Sequence, residues 1–372
     1  MLMKTILCTF LALTIFLSGY SQTSEEYIKS ANVKAKMNDY DGARADLNNA
    51  ILLNPSADNY YILGELEYFN NDFTAAILSF TKTISLDIEN EKAYYYRGIC
   101  FINIQNYPSA LEDFNQVVKI NPSLPDGYYE RGLAKYFLKD LPGAVIELTK
   151  AISLRRYYPE AYYTRGFIKT ELNDASGALN DYSTAIDLDP GFDVAYFFRA
   201  FLKLKIKDYK GAINDCNIAI RLNPLNASTY QCRGDALVFL NKKTEALRDF
   251  NHAIDLNNTD ALSFASRGYL KALLADYQGS KADFDQAIKL DSTDSDIYFK
   301  RGFSYENQKK YNEALDDYNK AIELDQKNTE AYLHRGLVKI NLHQESSGCA
   351  DLIKANESGS KEAEKALRKH CK

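Results

Sequence analysis

Tryptophan is absent, and proline (8) and glycine (18) are scarce in a chain of 372 residues. A turn-rich all-β protein needs more of the last two, so that class is disfavoured. There is no excess of one charge: 45 Lys+Arg stand against 50 Asp+Glu, a formal net charge of -5. Such a balance gives no global reason to seek nucleic acid or an anionic membrane. Beyond the N-terminus no apolar run approaches the ~20 residues that a membrane-spanning helix requires. Glycine-rich phosphate loops and nucleophile elbows are missing too. The four histidines (His252, His334, His343, His370) do not have zinc-protease spacing, and His334 falls on a helix with no acid pair expected nearby. The sequence therefore predicts no enzyme, no cofactor and no metal. What it has is 46% apolar and 26% charged residues, enough for a packed fold, with 28 Tyr and 19 Phe.

At the N-terminus, Lys4 precedes an apolar stretch from Ile6 to Leu17, followed by Ser18, Gly19 and Ser21. A positive start, a short apolar core and small residues read as a secretory signal peptide over 1–21, with cleavage before Gln22. No Cys follows Gly19, so lipoprotein processing is not supported. The alternative is an uncleaved anchor, the chain's one route to a membrane.

The rest of the chain is periodic. Gly64, Gly98, Gly132 and Gly166 are spaced by 34; Ala200 takes the next slot; Gly234, Gly268, Gly302 and Gly336 continue the series. With this residue numbered 8, position 4 is aromatic in nine repeats, from Tyr60 and Tyr94 to Tyr332. Position 20 is small (Ala76, Ala110, Ala144 and their successors). Position 24 is mostly aromatic (Phe80, Phe114, Tyr182, Phe250, Phe284, Tyr318). A looser first repeat covers 24–56, making ten. Apolar positions 4, 8 and 11, then 20, 24, 27 and 28, each give a helix one buried stripe. Proline falls at repeat ends (Pro55, Pro122, Pro190, Pro224) or helix starts (Pro108, Pro125, Pro142, Pro159), where a missing N–H is tolerated. A mid-helix glycine costs about 1 kcal/mol relative to alanine. Its recurrence at position 8 implies close approach of the partner helix, opposite the small position 20.

The aromatic at 4, Gly at 8, small residue at 20, aromatic at 24, Ala at 27 and Pro at 32 resemble the tetratricopeptide repeat over about 24–355. The resemblance implies an all-α, right-handed superhelical solenoid of about ten helix-turn-helix repeats. Its first helices would line a concave groove for peptides or protein segments, and stacking would supply the stability that one repeat lacks.

Position 7 is Arg in eight repeats, and position 23 is acidic in the same eight. The pairs are Arg97 with Asp113, Arg131 with Glu147, Arg165 with Asp181, Arg199 with Asp215, Arg233 with Asp249, Arg267 with Asp283, Arg301 with Asp317, and Arg335 with Asp351. The second repeat loses both (Leu63, Ser79), and the first keeps Asp46 opposite Ser30. Co-occurrence within repeats predicts an Arg–carboxylate bridge between the two helices of each. With every Arg assigned an acid, the recurrent Arg-Gly dipeptides are not read as an RNA-binding signature.

In the resembled family, positions 2, 5, 9, 12 and 13 of the first helix face the groove. Here position 5 reads Tyr61, Tyr95, Tyr129, Tyr163 and Phe197 in repeats two to six, and Tyr68, Tyr136, Phe167 and Phe201 widen the ladder. Tyrosine offers contact area with a polar tip at low entropic cost. The expectation is a groove for an extended segment; the alternative is that these rings pack between adjacent first helices. Ile28 stands where a carboxylate-clamping subtype carries Lys, although Asn32 matches, so that subtype is not supported.

Cys8 leaves with the signal. Cys216 is a core position, Cys100 and Cys232 lie on first helices, and a Cys216–Cys232 bond is an alternative to free thiols. From Ser346 the last repeat departs from the pattern, and Glu362 to His370 forms an extra polar helix suited to capping a solenoid. The domain reading is thus a signal peptide (1–21), a repeat array (24–345) and a divergent last helix with C-terminal cap (346–372). This end resembles those of exported bacterial tetratricopeptide arrays, in which a Cys349–Cys371 disulfide could pin the cap; two free thiols are the other option. The functional expectation is an exported adaptor in the periplasm, envelope or outside the cell. Two alternatives stay open: a glycan- or peptidoglycan-associated module, and an N-terminally anchored structural array.

Overall fold

The computed structural model describes residues 22–371, so the signal segment lies outside it. Among the described residues there are 21 helices and no strand. They follow as pairs: α1 (Ser24–Lys36) with α2 (Tyr40–Leu53), α3 (Ala57–Phe69) with α4 (Phe73–Leu86), α5 (Glu91–Asn103) with α6 (Tyr107–Ile120), and α7 (Pro125–Phe137) with α8 (Leu141–Leu154). Then come α9 (Pro159–Glu171) with α10 (Ala175–Leu188), α11 (Asp193–Lys205) with α12 (Tyr209–Leu222), and α13 (Ala227–Phe239) with α14 (Lys243–Leu256). The last pairs are α15 (Ala261–Leu273) with α16 (Tyr277–Leu290), α17 (Ser295–Asn307) with α18 (Tyr311–Leu324), and α19 (Thr329–Asn341) with α20 (Glu345–Glu357); α21 (Lys361–His370) follows alone. The chain divides into two compact units after Asp181, within α10.

The turn inside each pair is built the same way. The residue two beyond the first helix has positive φ: Asn38, Asn71, Gln105, Lys139, Asn173, Lys207, Asn241, Ala275, Lys309 and His343, all between 59° and 68°. The next amide reaches back over the helix end, as Asp72 N donates to Glu67 O at 2.8 Å, which satisfies an orphan carbonyl. That next residue is usually the N-cap of the second helix. Asp39, Asp72, Asn106 and Asp140 accept from the amides of Gly42, Ala75, Ser109 and Gly143 in the N-terminal unit. Asp208 and Asp276 do the same in the C-terminal unit. The Lys203–Lys207 alternation, strand-like by itself, is the end of α11 with Lys207 in the left-handed turn.

The core of each unit is a row of small and aromatic residues from second helices. Ala76, Phe80, Ala110 and Phe114 are fully buried in the N-terminal unit, and Ala246, Phe250, Ala314 and Tyr318 in the C-terminal one. The glycine at position 8 exists chiefly for the ring at position 24. A Cβ on Gly98 would lie 2.8 Å from the Phe114 ring, and one on Gly234 2.5 Å from Phe250. The expected approach of position 20 is the reason at Gly336, where the Gly348 carbonyl oxygen would be 2.9 Å away.

At the C-terminus α20 begins at Glu345 and packs on α19 like every earlier second helix. The pairing therefore runs through Glu357, and the divergent last helix expected from residue 346 is the second helix of the tenth pair. Ala363, Ala366 and Leu367 of α21 cover Leu333, Leu352 and Ala355, and a Cys349–Cys371 disulfide ties the end of α21 to α20.

Candidate binding face

The first helices are locked before they present anything. Arg97 Nε and Nη2 donate to the two carboxylate oxygens of Asp113 at 2.9 and 2.6 Å. The same fork joins Arg165 to Asp181, Arg199 to Asp215, Arg233 to Asp249, Arg267 to Asp283, Arg301 to Asp317 and Arg335 to Asp351. Arg131 reaches Glu147 through Nη2 alone, at 2.5 Å. The geometry extends beyond the predicted pair in three directions. Nη1 of Arg97 and of Arg165 donates to Thr81 and Thr149, one repeat back. In five repeats a lysine one turn on takes a second bond with the acid: Lys135, Lys169, Lys203, Lys271 and Lys339. Each Arg also lies 5.2–5.7 Å from the centre of the aromatic ring at position 4. Charge, hydrogen bonding and cation–π attraction thus converge on one guanidinium. Where the second repeat lacks the pair, Ser79 Oγ donates to Glu67 at 2.6 Å. In the first repeat Lys34, not Ser30, forms the ion pair with Asp46, at 2.6 Å.

Burial raises the carboxyls of Asp113 and Asp317 despite the opposing Arg97 and Arg301. Desolvation roughly offsets attraction in such pairs, and they act mainly to fix geometry.

On this scaffold the N-terminal unit carries the tyrosine ladder. Tyr61, Tyr95, Tyr129 and Tyr163, with Tyr68, Tyr136 and Phe167, are all half-buried. They do both things the sequence left open. They bridge neighbouring first helices: Tyr129 and Thr164 share a hydrogen bond of 3.3 Å, Tyr136 OH donates to Glu171 at 3.1 Å, and Tyr136 meets Phe167 edge-on at 5.8 Å. They also keep part of each ring in solvent. Tyr96, at position 6, is the hub that the sequence reading missed, with ring centres 6.3 Å from Tyr61, 5.3 Å from Tyr68 and 5.6 Å from Tyr95. Tyr61 OH donates to Glu65 at 2.8 Å. Burial pushes the phenols of Tyr61 and Tyr95 well up and that of Tyr163 to about 12. These hydroxyls remain neutral donors at physiological pH. Glu65 and Glu130 lie on the same face; position 6 is not among the family's groove positions, and a lone acid at position 9 carries no signal in the sequence.

The C-terminal unit presents a different surface. Phe197 and Phe201 stack 6.4 Å apart, and then the ladder stops. Gln231 and the buried Ala265 occupy the next position-5 slots. A cavity of about 560 Å³ opens instead, lined by Asp235, Ser266, Tyr269, Phe299, Lys300 and His334 among others. Gln231 Nε2 donates to Asp235 at 2.6 Å, and Lys300 Nζ lies 2.8 Å from Asp296. Burial lifts the Asp235 carboxyl to about 6 against the pull of Lys300 and Ser266. His334 was expected to lack nearby acid; instead its Nδ1 lies 2.9 Å from Glu306, which also accepts from Tyr318 OH. The preceding first helix supplies Glu306, and a search along His334's own helix does not find it.

Cys100, Cys216 and Cys232 are buried and free. The alternative Cys216–Cys232 bond is not formed; the two thiols are hydrogen-bonded, and that bond with burial pushes the Cys232 thiol up.

A stack of helix pairs with one fixed turn, one fixed charge pair and ring-into-glycine packing defines a helical-repeat solenoid. Tetratricopeptide repeat models match residues 91–124 and 295–328, and a second such model matches 28–91. A tetratricopeptide repeat protein from Parabacteroides merdae ATCC 43184 superposes with a TM-score of 0.56 at 20% identity, over 67% of this chain and 98% of its own. A chain of the APC/C hetero-tetramer Cut9–Hcn1 gives 0.52 at 14% identity, over 97% and 92%. Yeast Tom70 gives 0.44 at 15% identity, over 92% and 93%. No curated protein matches the chain. The matched residues are tetratricopeptide repeats, and the fold of the described residues is that of a tetratricopeptide solenoid.

Proposed function

We propose that this chain is a non-enzymatic scaffold for protein–protein interaction that acts after export, in the cell envelope, and binds an extended peptide or protein segment along its first helices. The observation that carries the reading is the half-buried ladder of Tyr61, Tyr95, Tyr129 and Tyr163 in the N-terminal unit, three of whose four helices are locked by an Arg–carboxylate pair. Rigid anchors lower the entropic cost of ordering a partner, and several weak anchors in register give specificity. The ring geometry favours a protein partner over a glycan. Tyr61 and Tyr68 each meet Tyr96 at 60–61°, and Tyr136 meets Phe167 at 73°, so the rings do not line up as the parallel platforms on which sugars stack. Export is supported by the N-terminal segment and by the Cys349–Cys371 disulfide, which persists in oxidising compartments.

Affinity capture from the envelope fraction of the source cell tests the proposal. The baits are residues 22–372 and the same chain with Tyr61, Tyr95, Tyr129 and Tyr163 changed to Ala, both checked by circular dichroism. A protein retained only by the first bait is the expected result. Equal retention by both removes the ladder from the interface. Retention of insoluble polysaccharide alone favours the glycan reading.

A further inference from the structure

One carboxylate on the ladder is partly desolvated yet has no partner. Glu130, on α7, is half-buried, and no hydrogen bond or ion pair reaches it from the described residues. Of the other acids on this face, Asp58 and Glu160 are exposed to water and the rest are held. Tyr61 donates to Glu65, Tyr136 to Glu171, and Arg155 and Tyr158 donate to Asp126. Around Glu130 stand phenols instead of cations: burial, and with it the field of Glu130, raises Tyr68 on α3, Tyr95 on α5 and Tyr129 on its own helix. An unpaired carboxylate in a partly desolvated site is expensive unless a cation completes it. Tyrosine faces attract cations in their own right.

The charge of the whole face has the same sign. At positions 2, 5, 6, 9, 12 and 13 of α3, α5, α7 and α9 the acids are Asp58, Glu65, Asp126, Glu130, Glu160 and Glu171, against a single Lys92. The net charge of the full chain, near balance, conceals this. An acidic, aromatic face complements a basic segment and repels an acidic one.

We infer that the N-terminal unit recognises a cationic extended segment, and that Glu130, between Tyr95 and Tyr129, receives a lysine or arginine side chain of it. The inference rests on the groove reading above and names the chemistry of its partner. It also makes binding pH-dependent. Burial, with Asp126 one turn away, pushes Glu130 up to about 7. Asp126 and the three phenols that face it are shifted away from that range. Despite burial, Arg155 and Tyr158 hold Asp126 below the usual carboxylate range, and the phenols of Tyr68, Tyr95 and Tyr129 are raised. Glu160, on α9, faces Tyr129 from the next first helix.

Fluorescence anisotropy with residues 22–372 tests this. The probes are fluorescein-labelled twelve-residue peptides of alternating Lys and Ala, of Glu and Ala, and of Ser and Gly. The lysine peptide is expected to bind at least about tenfold tighter than the other two and to weaken as pH falls from 8 to 6. Glu130→Gln should lose about tenfold and abolish the pH dependence. Glu112→Gln, at an exposed site on α6, should change neither. Loss of affinity in Glu130→Gln with the circular dichroism spectrum unchanged separates recognition from misfolding. A Glu130→Gln variant that binds like the parent, or no binding of the lysine peptide, overturns the inference. Tyrosine-dependent binding of the acidic or neutral peptide overturns it and leaves the groove reading standing. Lysine-peptide binding unaffected both by Glu130→Gln and by the fourfold tyrosine-to-alanine change overturns both.

Discussion

At the residue scale, buried charge decides most of what a substitution does. Arg97→Leu strands Asp113 in the core without its fork, an expected loss of about 3–5 kcal/mol in urea denaturation. The second repeat carries Leu63 and Ser79 at the same two positions. The double change Arg97→Leu, Asp113→Ser should therefore recover much of that loss, and a double variant as unstable as the single one would refute the argument. Glu130 behaves in the opposite sense. The folded chain keeps its proton to about pH 7, whereas an ordinary glutamate loses it near 4.5. The native state thus binds more protons across that window, and its stability falls as pH rises through it. Glu130→Gln should flatten the fall in melting temperature between pH 5 and 8, worth up to roughly 3 kcal/mol. A smaller fall from Asp235, lifted to about 6, should remain. The paired residues were legible because arginine and acid vanish together in the second repeat. Glu130 was not, since nothing in a sequence says which carboxylate lacks a partner.

At the scale of the element, the helical hairpin is set by its turn. Ten non-glycine residues sit in the left-handed region, where an L side chain costs roughly 1–2 kcal/mol. Ala275 has no side-chain hydrogen bond with which to recover that cost. Ala275→Gly should stabilise the chain by up to about 1 kcal/mol after glycine's larger unfolded-state entropy is discounted, measurable as a raised denaturation midpoint. The same substitution at Ala272, three residues earlier and inside α15, should destabilise by a similar amount. The hairpins themselves were readable from periodicity and proline placement. The left-handed position was not, because Asn, Gln, Lys, Ala and His share it and composition gives no signal.

For the molecule as a whole, a repeat array is only as stable as its ends. The disulfide closes a loop over a sequence separation of 22, for which chain entropy predicts about 3 kcal/mol. Reduction should raise amide exchange in α21 and in Leu333, Leu352 and Ala355 beneath it, while repeats in the N-terminal unit exchange as before. Exchange unchanged by reduction would mean that apolar packing alone holds the cap.

The sequence by itself determined the period, the helix pairs, the within-repeat charge pairs and the resemblance to the tetratricopeptide repeat. Each is a relation between positions a fixed number of residues apart, and a strict 34-residue repeat turns spatial neighbours into arithmetic. Only the tertiary structure decided which glutamate is left unpaired, that Glu306 supports His334, that Tyr96 joins three other tyrosines, and that the face of the N-terminal unit is acidic. Those relations link different side chains on neighbouring helices, where the repeat constrains the backbone but leaves the surface free to vary.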